Sequence, residues 1–74
     1  MTNDEIKEAL IRKYKVRHVD RVRGSSILYA YAQAWRCSVG IRGEFVSSLE
    51  LVSLTGETPS VTIARADECE ILKT

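Results

Sequence analysis

YKVRHVDRVRGSSILYAYAQAW, residues 14–35, is the stretch whose reading decides the fold. From Tyr29 to Arg36 large side chains alternate with alanine: Tyr-Ala-Tyr-Ala-Gln-Ala-Trp-Arg. In a strand, period two sends the rings to one face and the alanines to the other. Residues 15–22 mix valine with charge and fit no helical stripe, which predicts a first strand. Between the two, Arg23-Gly24-Ser25-Ser26 has turn chemistry: the glycine frees the backbone and the serines offer local hydrogen bonds. The expected unit is a β-hairpin whose second strand covers residues 27–35. A helix competes, because Leu28, Tyr31, Ala32, Trp35 and Val39 also fall at helical spacing, with Ser26 as a cap and Gly40 as a stop. Alanine favours that helix; isoleucine, tyrosine and tryptophan favour the strand, which is the reading adopted.

Pairing Val22 with Ile27 across the turn makes partner numbers sum to 49, so Asp20 faces Tyr29, His18 faces Tyr31 and Tyr14 faces Trp35. The aromatic face, joined by Val16 and Val22, reads as core. The other face sets Lys15, Arg17, Arg21 and Arg23 beside Leu28, Ala30, Ala32 and Ala34. A low alanine floor edged with cations lets a phosphate backbone come close.

Upstream, Thr2-Asn3-Asp4-Glu5 matches a capping box, and Ile6, Ala9, Leu10 and Tyr14 follow at helical spacing. Glu8 and Arg12 stand four apart with the acid first, the favourable order, so a helix is expected over residues 3–13. Downstream, Gly40 and Gly43 bracket a bend. Residues 44–54, EFVSSLELVSL, carry apolar side chains at both parities, as a bulged strand or one covered on both faces does. A turn at residues 55–59, a strand at 61–65, an Asp67-Glu68 corner and a strand at 69–72 complete the chain.

The expected fold class is α+β: one N-terminal helix packed on a small, strongly twisted antiparallel sheet, or SH3-like partial barrel, of about five strands. Residues 1–74 are expected to form a single domain. This layout resembles small SH3-like and Sm-like barrels, and the closing ARADECEIL resembles the last strands of many SH3-like barrels. Ile41-Arg42-Gly43 looks like the Sm-family signature. In that family the tripeptide precedes the last strand and lines an RNA pocket, whereas here two more strands follow it. No site is carried over from it.

With 74 residues, 45% of them hydrophobic, the chain is folded but near the size at which a core alone suffices. The net charge of +1 conceals a division. Residues 1–42 hold nine Lys/Arg and four Asp/Glu, giving +5; residues 43–74 hold two and six, giving −4. MTNDEIKEAL is not a secretory leader, and no apolar run approaches the roughly 20 residues of a membrane span, so a cytoplasmic protein is expected. Cys37 and Cys69 form no CxxC and are expected as buried reduced thiols, with a disulfide left open by their spacing.

Nothing points to catalysis. The one histidine, His18, has Asp20 two residues on but no placed nucleophile. His18, Cys37 and Cys69 are too scattered for zinc. Asp67, Glu68 and Glu70 lack the glycine and alternating oxygen ligands of a calcium loop. No cofactor is expected. The reading is a non-catalytic binding module that contacts nucleic acid or a nucleoprotein through Lys15, Arg17, Arg21, Arg23, Arg36 and Arg42, without sequence preference. The alternative is a protein-interaction or self-assembly accessory protein, of the kind mobile elements carry, whose basic and acidic halves dock on complementary or acidic protein surfaces. An enzyme assembled only as an oligomer is the third reading. A homodimer is expected on size and charge.

Overall fold

In a computed structural model, residues 1–53 and 58–73 are described. The chain opens with helix α1 (Asn3–Arg12). Thr2 accepts a hydrogen bond from the Glu5 amide at 3.2 Å, and the Glu5 carboxylate accepts one from the Thr2 amide at 2.9 Å, so the capping box is complete. Those bonds hold the Glu5 carboxyl below its ordinary value. The helix stops one residue before the expected end because Lys13 turns into the left-handed region, φ 57°, while its amide still reaches the Ala9 carbonyl.

Six strands follow: β1 (Lys15–Asp20), β2 (Ser25–Tyr29), β3 (Tyr31–Val39), β4 (Phe45–Ser53), β5 (Ser60–Arg65) and β6 (Cys69–Leu72). A 3-10 turn at Ala66–Glu68 forms the corner between the last two. They make two antiparallel three-stranded sheets, ordered β2-β1-β6 and β3-β4-β5. The helix-plus-twisted-antiparallel-sheet class read from the sequence is therefore observed. The expected five strands become six because one is divided.

That division is the main correction. Residues 27–35 are extended, not helical, but they do not form one strand. Tyr29 ends β2 in the first sheet, Tyr31 begins β3 in the second, and the Ala30 amide between them donates to the Val52 carbonyl at 2.9 Å. Strict alternation runs through the bend unbroken, so parity alone does not reveal that the chain changes sheet. The turn also comes earlier than expected. The Asp20 carboxylate accepts from the Val22 and Arg23 amides at 3.0 and 3.1 Å, closing the chain over residues 21–24, with Gly24 at φ 68°. Such an Asx turn competes successfully with two further strand residues.

Partners in the β1–β2 hairpin consequently sum to 45, as in Val16 with Tyr29 and His18 with Ile27. The expected pairs Asp20–Tyr29, His18–Tyr31 and Tyr14–Trp35 do not form, and Val22 stands 97% exposed at the turn. The alanine floor is also absent: Ala32 is fully buried in the core, and Ala30 and Ala34 are half-buried.

In β4 the mixed parity has a simple cause. Leu49 and Leu51 point inward and are fully buried, while Val52, on the other face, is covered beside its partners Val61 and Tyr31. The bulge sits across the ladder, where Gln33 is the extra residue between Ala32 and Ala34 of β3. The expected turn at residues 55–59 falls largely outside the described residues.

The core gathers Ile6, Val16, Tyr29, Ala32, Leu49, Leu51, Ala64, Ala66 and Cys69 from the helix and both sheets, with Met1, Leu10 and Trp35 packed against it. Full burial of a side chain such as Leu49 stabilises by about 1.5–3 kcal/mol. Leu49→Ala should lower unfolding free energy by about 2–5 kcal/mol, enough to unfold much of so small a protein. Leu28→Ala, on the wet face of β2, should cost under about 1 kcal/mol. Urea unfolding followed by tryptophan fluorescence reads both, and equal effects would contradict this division between core and surface.

Candidate functional site

Lys15 and Arg17 project from the outer face of β1, and both are exposed. Arg17 is flanked across the sheet by Leu28 of β2 and Glu70 of β6. Arg21 and Arg23 follow at the exposed turn, where Arg23 leans on Asp20 at 3.9 Å. Along an extended strand alternate residues repeat at roughly 6.6 Å, so Lys15 and Arg17 begin a row of cations that the turn continues. These four follow one another along β1 and its turn, a basic ridge in chain order.

The other two are placed elsewhere. Arg36 lies on β3, held by Glu50 through Nε and a terminal nitrogen, each 2.6 Å from Oε1, while Gln33 donates to the other Glu50 oxygen at 3.1 Å. The Gln33 amide and the Arg36 guanidinium hold the Glu50 carboxyl below its ordinary value. This clamp spans the β3 bulge, so the charge of Arg36 is already answered. Arg42 lies in the turn between β3 and β4, at the opposite end of the bent β2–β3 strand from Arg21 and Arg23. Six cations read as one set thus become a ridge, a neutralised arginine and a distant one.

The charge division along the sequence is not a division in space. β6, from the acidic half, pairs directly with β1, from the basic half. Lys73 meets Glu8 at 3.2 Å, and Glu68 stands 3.9 Å from half-buried His18. His18 is flanked across the strands by Ile27 and Cys69. Among the described residues no three His, Cys, Asp or Glu side chains are grouped to hold a metal ion.

Sequence reasoning missed a second feature. Beyond the reach of β5, whose pairing with β4 begins at Ser48, β3 and β4 continue as a two-stranded arm. On one face of the arm Val39 is paired with Phe45, 65% and 81% exposed, and Ile41 stands fully exposed in the tip turn. Gly43 at φ 82° closes that turn. At the arm's base a cavity of about 210 Å³ is lined by Met1, Ile6, Phe45 and Ser47, among others. The available signal was the parity of Phe45, which matches that of Leu49 and Leu51 although no covering element was assigned to it.

No family model matches this chain, and neither a curated protein nor a solved structure is significantly similar to it. No helix among the described residues is long and apolar enough to cross a membrane.

Both cysteines are free, but they differ, and Cys37 corrects the expectation that both are buried. Cys37 is exposed on the arm. Cys69 is in the core, its Sγ donating to the Arg65 carbonyl at 3.2 Å, and burial pushes its thiol up to about 11. A raised thiol pKa favours the neutral folded form, so this contribution is present below the unfolded value near 9 and is lost as pH rises towards 11. Near pH 8 a maleimide should label one thiol per native chain, at Cys37, and two only in denaturant. Mass mapping showing equal native labelling would contradict the placement of Cys69.

Proposed function

We propose that this protein is a non-catalytic binding module that contacts the phosphate backbone of nucleic acid along the β1 ridge. The supporting observation is placement. Arg12, Arg23, Arg36, Arg65 and Lys73 each have an acidic partner. Of the six described cations without an acidic partner, Lys15, Arg17 and Arg21 lie along one strand and its turn, while Lys7, Lys13 and Arg42 lie elsewhere. Exposed cations that are not neutralised within the chain contribute most to counterion release. The ridge presents no Asn or Gln to read base edges, so the contact is indifferent to sequence.

A second reading, contact with a protein, is favoured by the arm. Val39, Ile41 and Phe45 form an apolar surface at its free end, and such surfaces commonly mark contacts. The division into basic and acidic halves supports that reading less, because part of the charge is answered inside the chain.

Affinity for duplex DNA should fall with salt at a log–log slope of roughly −3, reflecting three phosphates neutralised. Arg17→Ala and Arg21→Ala should each make the slope shallower by about one, equally for unrelated sequences. Arg36→Ala should leave it unchanged, because Glu50 already holds that side chain. Fluorescence anisotropy across a salt series reads all three. Undetectable binding at low ionic strength would end the nucleic-acid reading, and a strong preference for one sequence would end the backbone mechanism.

A further inference from the structure

The exposed arm has an open edge as well as an apolar face. β3 is the outer strand of its sheet and pairs only with β4. The Gly40 amide donates to the Glu44 carbonyl at 2.7 Å, which fixes the direction of the groups that follow back along β3. In an antiparallel ladder alternate residues bond to the same neighbour. Ser38 and Arg36 therefore direct their backbone groups to β4, while Val39, Cys37 and Trp35 direct theirs outward, away from the sheet. Residues 36–39 are all exposed, so the outward groups of Cys37 and Val39 face open space.

Edge strands are ordinarily blunted by lysine, proline or a bulge, since bare edges recruit other strands. The bulge of β3 lies upstream, at Gln33, and residues 35–39, Trp-Arg-Cys-Ser-Val, carry none of these devices. Arg36 is the only charge in the segment, and Glu50 neutralises it. A two-stranded ribbon is also marginal in water until a third strand joins it.

We propose that a second copy of this chain supplies that third strand, with the two β3 edges pairing antiparallel about a two-fold axis at Cys37. This assembly goes beyond the binding ridge and uses none of its residues. The sequence of the edge fits its own copy. With Cys37 opposite Cys37, Trp35 falls opposite Val39 of the second copy, apolar against apolar on the face that also carries Phe45. Arg36 falls opposite Ser38 on the other face. No like charges stand directly opposite one another, and all three outward-facing residues bond across the axis. The reciprocal contact is the isologous kind that closes a dimer and goes no further. Short pairing strands bury less than the roughly 800 Å² per partner of a standard interface, so the dimer is weak and reversible.

Cys37 reports the geometry directly. Cys37 opposite Cys37 is a hydrogen-bonded pair, the wider kind, with Cβ atoms about 5.5 Å apart, so the thiols are close neighbours that join after the two edges shift by about 1–2 Å. Mild oxidation with diamide, which is reduced as the two thiols join, should link Cys37 to Cys37 rapidly in the native protein, while buried Cys69 stays free. Light scattering should show a monomer–dimer equilibrium over a wide concentration range. Val39→Lys, which places a cation on the edge and keeps Cys37, should weaken dimerisation at least about tenfold and slow cross-linking in parallel. Cys37→Pro removes an outward amide without taking one from the β3–β4 ladder, and should also give a monomer. Circular dichroism establishes that each variant is folded. A wild-type protein that stays monomeric at high concentration, with cross-linking no faster than in denaturant, would overturn the proposal. So would a dimer that persists unchanged in folded Val39→Lys, since its interface then lies elsewhere.

Discussion

The fold depends on how the chain passes Ala30. Tyr29 is buried on the first sheet, Tyr31 opens the second, and one hydrogen bond from the Ala30 amide to Val52 ties the crossing to β4. A twisted sheet of this size closes on itself only if one strand serves both layers. The Tyr29 ring enters the core, whereas Tyr31 lies half-buried opposite Val52 with the Lys13 ammonium 4.9 Å from its ring centre. Val16 then meets Tyr29, Ala32 enters the core, and Ile6 and Leu10 of the helix pack onto the space the two sheets enclose.

The same bend separates the two surfaces available for contact. At one end of the bent strand, the β1–β2 turn carries Arg21 and Arg23, and β1 carries Lys15 and Arg17. At the other end, the arm carries Val39, Ile41 and Phe45. One surface is charged; the other is apolar and has an open edge. A dimer formed through the arm would leave both ridges free, doubling the cations presented to one polyanion. Linking two weak sites in this way raises the affinity of each by effective concentration, without any new contact.

Local features were legible in the sequence and long-range ones were not. The capping box at Thr2 and Glu5 was readable because it involves four consecutive residues. Strand β6 was readable as a short, mainly apolar run after an acidic corner. The register of the β1–β2 hairpin differs by four in the sum of partner numbers, because the expected strand runs on to Val22 whereas β1 ends at Asp20, whose carboxylate starts an Asx turn. That displacement, together with the change of sheet at Ala30, accounts for the expected alanine floor and its four-cation face. The exposed arm was hidden for a different reason: Phe45 and Val39 have the composition of core residues, and only tertiary placement shows that nothing covers them. The neighbour of His18, Glu68, lies too far along the chain to be inferred from the sequence.

The most direct test of this account is the register through the bend, measured by interstrand nuclear Overhauser contacts in the native protein. Backbone contacts between Val16 and Tyr29, and between Tyr31 and Val52, are expected together, placing the two tyrosines in different sheets. Contacts of Asp20 with Tyr29 and of His18 with Tyr31 would mean one unbent strand, and would contradict both the crossing at Ala30 and the surfaces it separates.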